Sequence, residues 1–166
     1  EALYANSVAP ILISEQQGWH KSTFCRMLLP PELRMFYTDS FDLAAESQCE
    51  LRLTDCLLIN LDEFDRYSSH KQSTLKNLMQ MTSLRMRKAY RNHSVTLPRI
   101  ASFIGTSNTA ALLTDPTGSR RFLCIDIREM IDVDTPINHP QLYAQCMTLL
   151  AEGERHWFTP EEVKDI

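Results

Sequence analysis

The run Ser14-Glu15-Gln16-Gln17-Gly18-Trp19-His20-Lys21-Ser22-Thr23 follows the apolar stretch Val8 to Ile13 and leads directly into Phe24-Cys25-Arg26-Met27-Leu28-Leu29. Strand, tight loop, Lys-Ser-Thr and helix in that order form the layout of a phosphate-binding loop. In such a loop, backbone N–H groups and a helix N-terminus surround the phosphates. The lysine reaches the terminal ones, and the hydroxyl that follows it holds Mg²⁺. Gly18, Trp19, His20, Lys21, Ser22 and Thr23 would then wrap the phosphates, with Ser22 also on the metal. The pattern G-x-x-x-x-G-K-[ST] is not complete: Glu15 and His20 stand at glycine positions, and Gly18 alone remains. Lys-Ser-Thr at a helix start also reads as ordinary N-terminal capping.

Two further strand ends carry polar residues suited to the same chemistry. Asp55-Cys56-Leu57-Leu58-Ile59-Asn60-Leu61 reads as a buried strand that runs into Asp62-Glu63-Phe64-Asp65. Beside a phosphate loop, Asp62 can steer the Mg²⁺ shell, and Glu63 can orient and polarise an attacking water. A solvated turn gives the same residues. Ile100 to Ser107 is apolar and β-prone and ends on Asn108, whose amide can hydrogen-bond a γ-phosphate or the attacking water. The plain alternative is a cap for a helix over Ala110 to Leu113. Asp115-Pro116-Thr117-Gly118-Ser119 is turn chemistry. It leads to Arg120 and Arg121 at the mouth of the strand Phe122 to Ile127. These arginines can clamp developing phosphate charge or serve as edge-strand solubility charges.

The elements that must position these residues follow from periodicity. Val8–Ser14, Leu57–Leu61, Ile100–Ser107 and Phe122–Ile127 are near-continuous apolar strands, as expected where helices cover both sheet faces. Leu75, Leu78, Met79 and Thr82 recur at helical spacing, and Leu142, Cys146, Leu149 and Leu150 predict a second helix. Phe41–Thr54 reads as partly helical and Val133–Pro140 as a loop. Strands alternating with helices predict an α/β fold, a P-loop NTPase-like three-layer sandwich with a mainly parallel central sheet.

The 166 residues, 43% of them hydrophobic, suit one domain over 1–166 with a substantial core. No apolar stretch approaches the ~20 residues of a membrane span, and no leader pattern is visible. The chain opens on Glu1, and both ends read as cut from a longer protein, with 154–166 beginning a C-terminal extension. Cys25, Cys49, Cys56, Cys124 and Cys146 are scattered without a C-x-x-C pair, and three sit in apolar patterns. They read as reduced core residues of a cytoplasmic protein, and no spacing with histidine suggests zinc.

The net charge of −4 conceals an asymmetry. Between Arg66 and Thr114 there is no Asp or Glu but eight Lys and Arg, namely Arg66, Lys71, Lys76, Arg85, Arg87, Lys88, Arg91 and Arg99, so the remainder carries −12. Such a block either contacts nucleic-acid phosphates or is a solvated basic face. Within it, Tyr90 can stack on a base.

Lys-Ser-Thr-Phe, Leu-Asp-Glu, Gly-Thr-Ser-Asn and Asp-Pro-Thr-Gly-Ser-Arg-Arg-Phe, in this order, resemble the virulence-associated protein E family. That family is itself similar to superfamily 3 helicases and poxvirus helicase-type ATPases, often sits beside a primase domain, and occurs on phages and mobile elements. The resemblance spans Val8 to Trp157 and departs from the family pattern at Glu15 and His20. It implies ATP and Mg²⁺ as cofactors, with Lys21 on the β/γ-phosphates and Ser22 on the metal. It implies too that Asp62 holds metal-bound water, that Glu63 is the base and that Asn108 is the γ-phosphate sensor. Arg121, with Arg120 as fallback, corresponds to an arginine finger offered to a neighbouring subunit of a homo-oligomeric ring. The interval with Arg85, Arg87, Lys88, Tyr90 and Arg91 corresponds to a basic hairpin contacting nucleic acid, most simply single-stranded DNA. The implied activity is a helicase-like ATPase in replication of a phage or mobile element. The alternative is a degenerate phosphate-loop module that no longer hydrolyses ATP and serves DNA binding or assembly. Glu15 and His20 favour that alternative. A nucleotide or small-molecule kinase is a third option, without an evident lid or acceptor site.

Overall fold

The computed structural model describes residues 6–87, 94–109, 121–155, 158–159 and 161–162. Strand β1 (Ala9–Ile13) is followed by helix α1 (Lys21–Met27), a 3-10 turn over Pro31–Phe36, and β2 (Tyr37–Thr38). Helix α2 (Glu46–Asp55), β3 (Leu58–Leu61), a second 3-10 turn at Phe64–Arg66 and α3 (Ser69–Gln80) come next. Then follow β4 (Ser83–Arg87), β5 (Ser94–Pro98), β6 (Ser102–Ser107), β7 (Phe122–Asp126) and α4 (His139–Ala151).

Five strands form one sheet in the order β2-β3-β6-β1-β7, and each neighbouring pair is parallel. The expected α/β sandwich is therefore the observed architecture. Strand alternation sorts side chains between two layers. Ala9, Ile11, Ile13, Ile59, Leu61 and Phe103 face a core shared with Leu53 of α2 and Leu75, Leu78 and Met79 of α3. Leu12 and Ile104 face the other way, against Cys25 of α1. Because every strand runs the same way, β1, β3 and β6 end on one edge, where their following residues meet.

β6 lies between β1 and β3, and the approach is close at Gly105, which pairs with both Ile11 and Leu61. A Cβ there would stand 2.7 Å from Ile11 Cδ1 and 3.1 Å from the Leu61 carbonyl oxygen. Pro10 is tolerated in the sheet because the β1–β6 ladder begins one residue later, at Ile11.

Some expectations shift at the edges. α3 ends at Gln80, and Met81 turns extended, so Thr82 lies outside the helix and is exposed. The two-residue β2 has no legible sequence pattern. The α4 helix forms over its predicted positions, yet Leu142, Tyr143, Met147, Leu149 and Leu150 are all exposed. It is held at its first turns by His139 Nε2 to the Met27 carbonyl (2.7 Å) and by the Tyr143 hydroxyl donating to the Leu28 carbonyl (3.2 Å). β7 is an edge strand with Cys124 and Ile125 exposed, so the covering of both faces expected for it does not hold. Cys25, Cys49 and Cys56 are buried thiols, whereas Cys124 and Cys146 are exposed. Among the described residues no helix is long and apolar enough to cross a membrane.

Gly105→Ala should destabilise the domain by about 1–3 kcal/mol, because the new methyl must displace a packed isoleucine and a backbone carbonyl in the centre of the sheet. Urea denaturation followed by circular dichroism checks this; an unchanged midpoint would show that β1 and β3 part easily around β6.

Candidate functional site

The loop after β1 leaves the sheet at Ser14, whose N–H donates to the Ser107 carbonyl of β6 at 3.2 Å. It turns through Gly18 at φ 79° and His20 at φ 62°, ψ 18°, both in the left-handed region. His20 thus occupies a conformation that glycine adopts freely and that costs other residues about 1–2 kcal/mol. The His20 carbonyl accepts from Phe24 N–H at 2.8 Å, and α1 starts at Lys21. Among the described residues, no hydrogen-bond partner reaches the buried Nδ1 of His20. Glu15 is exposed.

Lys21 is buried at the foot of this loop. Its ammonium donates to the Ser14 carbonyl (3.1 Å), the Gln16 carbonyl (3.3 Å) and Asn108 Oδ1 (3.2 Å), which uses all three protons. Loss of hydration pushes the Lys21 pKa below its ordinary value, and the nearby carboxylates of Asp65 and Asp62 partly oppose that shift. The cation is therefore desolvated and held by neutral oxygens, a state that an incoming anion would favour.

Two hydroxyls from separate elements meet at Asp62. Its Oδ1 accepts from the Ser22 hydroxyl at 2.6 Å and from the Thr106 hydroxyl at 2.7 Å. Thr106 Oγ1 in turn accepts from the Glu63 N–H at 3.3 Å. Glu63 sits at φ 49°, ψ 49°, a second left-handed non-glycine residue, and its carboxylate pairs with Arg66 at 2.6 Å. Asp65 Oδ1 accepts from the Ser107 hydroxyl and from the Asn108 N–H, each at 3.2 Å. Alternation along β6 places Thr106 and Asn108 on the α1 side and Ser107 on the other side, facing Asp65. The strand tip is thereby gripped from both faces.

A cavity of about 440 Å³ opens over these groups, lined by Gln17, Gly18, Trp19, His20, Lys21, Ser22 and Thr23 and by Asp62, Glu63, Arg66, Thr106 and Asn108. The structure thus brings together Lys21, Ser22, Asp62, Glu63 and Asn108 from separate chain segments, along with the loop residues Gly18 to Thr23. Thr106, Asp65 and Arg66 were not singled out for this site by sequence. Their signals were present as a hydroxyl two positions before Asn108, an acid three positions after Asp62, and a cation one helical turn after Glu63.

The remaining predicted residues lie elsewhere. Arg121 precedes β7, whose Phe122 pairs with Ala9 and whose Asp126 pairs with Ile13. It therefore lies at the opposite edge of the sheet from the loop after β1, about 15 Å away along the strands, and does not line the cavity. Arg120 lies outside the described residues. The basic interval contains the antiparallel hairpin β4–β5, registered from Ser83 opposite Pro98 to Arg87 opposite Ser94. Arg85 is exposed on it and donates to the Ser94 hydroxyl at 2.7 Å. The side chain of Arg87, together with Lys88, Tyr90 and Arg91, lies outside the described residues. Arg99, counted in the basic block, is no surface charge. It is buried, donates to the Met79 carbonyl at 2.9 Å and to the Asn6 carbonyl, and stacks on Phe103. Burial lowers its pKa, and its task is to satisfy the C-terminal carbonyls of α3.

A family profile described as the virulence-associated protein E-like domain matches residues 6–166. No curated protein matches the sequence. Among solved structures, the A form apo structure of the NrS-1 C-terminal region aligns with a TM-score of 0.55 and 20% identity over 98% of this chain. The apo structure of NrS-1 C-terminal region 305–718 aligns with a TM-score of 0.56 and 18% identity over 97% of this chain. At such identities the likeness concerns the fold. The chain spans about a third of the length of these structures, 34% and 35% respectively.

Thr106→Val should cost about 1–2 kcal/mol, because it strips Asp62 of a donor and leaves the Glu63 N–H without its acceptor. Thr106→Ser should stay near wild type. Equal unfolding midpoints for the valine and serine variants would show that the hydroxyl is dispensable.

Proposed function

The chain belongs to the virulence-associated protein E-like domain family, and on that footing we propose that it is a Mg²⁺-dependent ATPase domain that acts on nucleic acid in the replication of a phage or mobile element. The observation that carries this reading is the convergence of two contacts in one cavity: Lys21 Nζ with Asn108 Oδ1 at 3.2 Å, and Ser22 Oγ with Asp62 Oδ1 at 2.6 Å. A lysine, an amide, a hydroxyl and an acid drawn from three strand ends are the groups that phosphoryl transfer requires.

The Ser22 hydroxyl and the Asp62 carboxylate are hard oxygen donors facing one another, which suits Mg²⁺ held by one carboxylate, a hydroxyl, waters and phosphate oxygens. Mg²⁺ bound there would neutralise phosphate charge. Lys21 exchanges the Ser14 and Gln16 carbonyls for phosphate oxygens. Asn108, fixed by Asp65, offers its amide to the terminal phosphate or to the attacking water. Glu63 orients that water and takes its proton. The position of Arg121 at the far sheet edge supports a finger acting on a neighbouring subunit's nucleotide, within a ring. The exposed Arg85 on the β4–β5 hairpin supports contact with single-stranded DNA.

A second reading keeps the fold and removes the turnover. His20 in the left-handed region and Glu15 in the loop favour a degenerate module serving DNA binding or assembly. Both residues weaken a phosphate cradle, one by backbone cost and the other by like charge, together by roughly one to two orders of magnitude in affinity. The double change Glu15→Gly with His20→Gly should therefore tighten Mg-ATP binding in calorimetry. Looser binding would make these side chains working contacts of an unusual loop.

Turnover, measured with and without single-stranded DNA, separates the two readings. Glu63→Gln should retain ATP binding and lower hydrolysis by roughly 10²-fold or more, because it removes a base and no phosphate contact. Arg121→Ala should also lower hydrolysis, and mixing it with Glu63→Gln protein should partly restore activity where the finger acts in trans. Wild-type turnover by the Glu63→Gln protein would remove Glu63 from the mechanism.

A further inference from the structure

The contact between Glu63 and Arg66 has a consequence beyond the roles assigned above. Arg66 Nη1 lies 2.6 Å from Glu63 Oε2, and both side chains remain substantially exposed, 69% and 43%. Both line the cavity that also holds Lys21 and Ser22. The backbone under them is fixed. Phe64 is fully buried, with its ring 4.6 Å from that of Phe122 and 5.4 Å from that of Tyr67. The Arg66 N–H donates to the Glu63 carbonyl at 2.9 Å and closes the turn. The two long side chains, by contrast, are solvent-exposed at the mouth of the site.

Resting on the ATP reading above, we propose that Arg66 is a phosphate-sensing residue: the terminal phosphate of a bound nucleoside triphosphate draws its guanidinium away from Glu63, which frees the carboxylate for water. Magnitudes favour the exchange. A solvated ion pair between neighbouring residues is weak, whereas a guanidinium meeting a polyanionic phosphate forms a charge-assisted and often bidentate contact. With the pair in place, Glu63 has its charge countered and its oxygen occupied. With the pair broken, it faces the cavity as a base. A diphosphate, lacking the terminal group, leaves the pair largely intact, so the domain would distinguish triphosphate from diphosphate without any backbone movement.

The test measures Mg-ATP and Mg-ADP affinity by calorimetry, and kcat and KM by phosphate release, for wild type, Arg66→Ala and Arg66→Lys. Exchange predicts that Arg66→Ala weakens ATP binding about tenfold or more and ADP binding less than threefold. It also predicts partial recovery of ATP affinity in Arg66→Lys. The Glu63→Gln protein, whose Arg66 has no competing carboxylate, should bind ATP up to about fivefold more tightly than wild type. Unchanged ATP affinity in Arg66→Ala overturns the exchange, as does a fall in kcat at constant affinity, which would make Arg66 a support that holds Glu63 in place. Equal losses for ATP and ADP overturn the sensing of the terminal phosphate. Absence of binding to either nucleotide in wild type overturns the ATP reading itself, and the exchange with it.

Discussion

Asp62 Oδ1 accepts hydrogen bonds from the hydroxyls of Ser22 and Thr106, at 2.6 and 2.7 Å, and through them ties the end of β3 to α1 and to β6. The rest of the site hangs on that carboxylate. Ser22 places the helix that presents Lys21; Thr106 fixes the Glu63 N–H and the strand that leads into Asn108. The geometry is possible only because β6 runs between β1 and β3 in parallel, so that the loop after β1, the acids and the asparagine all leave the sheet at one edge. Gly105 permits that arrangement by letting three backbones approach at a point where a methyl group would collide.

Among the described residues, two non-glycine residues have positive φ, His20 and Glu63, and both line the same cavity. Each conformation costs about 1–2 kcal/mol in isolation, and backbone outliers of this kind concentrate at functional sites. Their consequences differ. The turn at Glu63 is secured by the buried Phe64 and aims a carboxylate into the cavity, so its strain is tied to a useful orientation. The turn at His20 brings a ring to a position where close backbone approach is wanted, and its Nδ1 has no hydrogen-bond partner among the described residues. One outlier favours chemistry and the other opposes it, which is why a working ATPase and a degenerate module both draw support from the same cavity.

Charge divides in a similar way. The acid-free block looks uniform along the chain but separates in space. Arg66 faces the cavity, Arg85 lies exposed on the hairpin, and Arg99 is buried beneath α3 as a partner for helix-terminal carbonyls. The carbonyls of Met79 and Asn6 and the face of Phe103 give that last cation what solvent would otherwise supply. Composition alone assigns all of these residues to one basic face. α4 and the edge strand β7, for their part, leave Leu150, Met147 and Ile125 exposed.

Much of this was legible in the sequence because it depends on local order. Apolar runs marked β1, β3, β6 and β7, helical spacing marked α3 and α4, and the polar residues at the strand ends marked Lys21, Ser22, Asp62, Glu63 and Asn108. A parallel α/β chain must deliver those residues to one edge, so their order sufficed. The left-handed turn at position 20 was legible as well, from the glycine that the loop pattern asks for there. The tertiary structure alone decided the rest. Thr106, Asp65 and Arg66 gained their roles from partners, since a hydroxyl or a carboxylate becomes a positioning group only when another strand end lies within hydrogen-bond reach. Arg99 became structural, and the apolar residues of α4 stayed exposed, for one shared reason: periodicity states that a face is charged or apolar, whereas burial depends on what the fold brings against it.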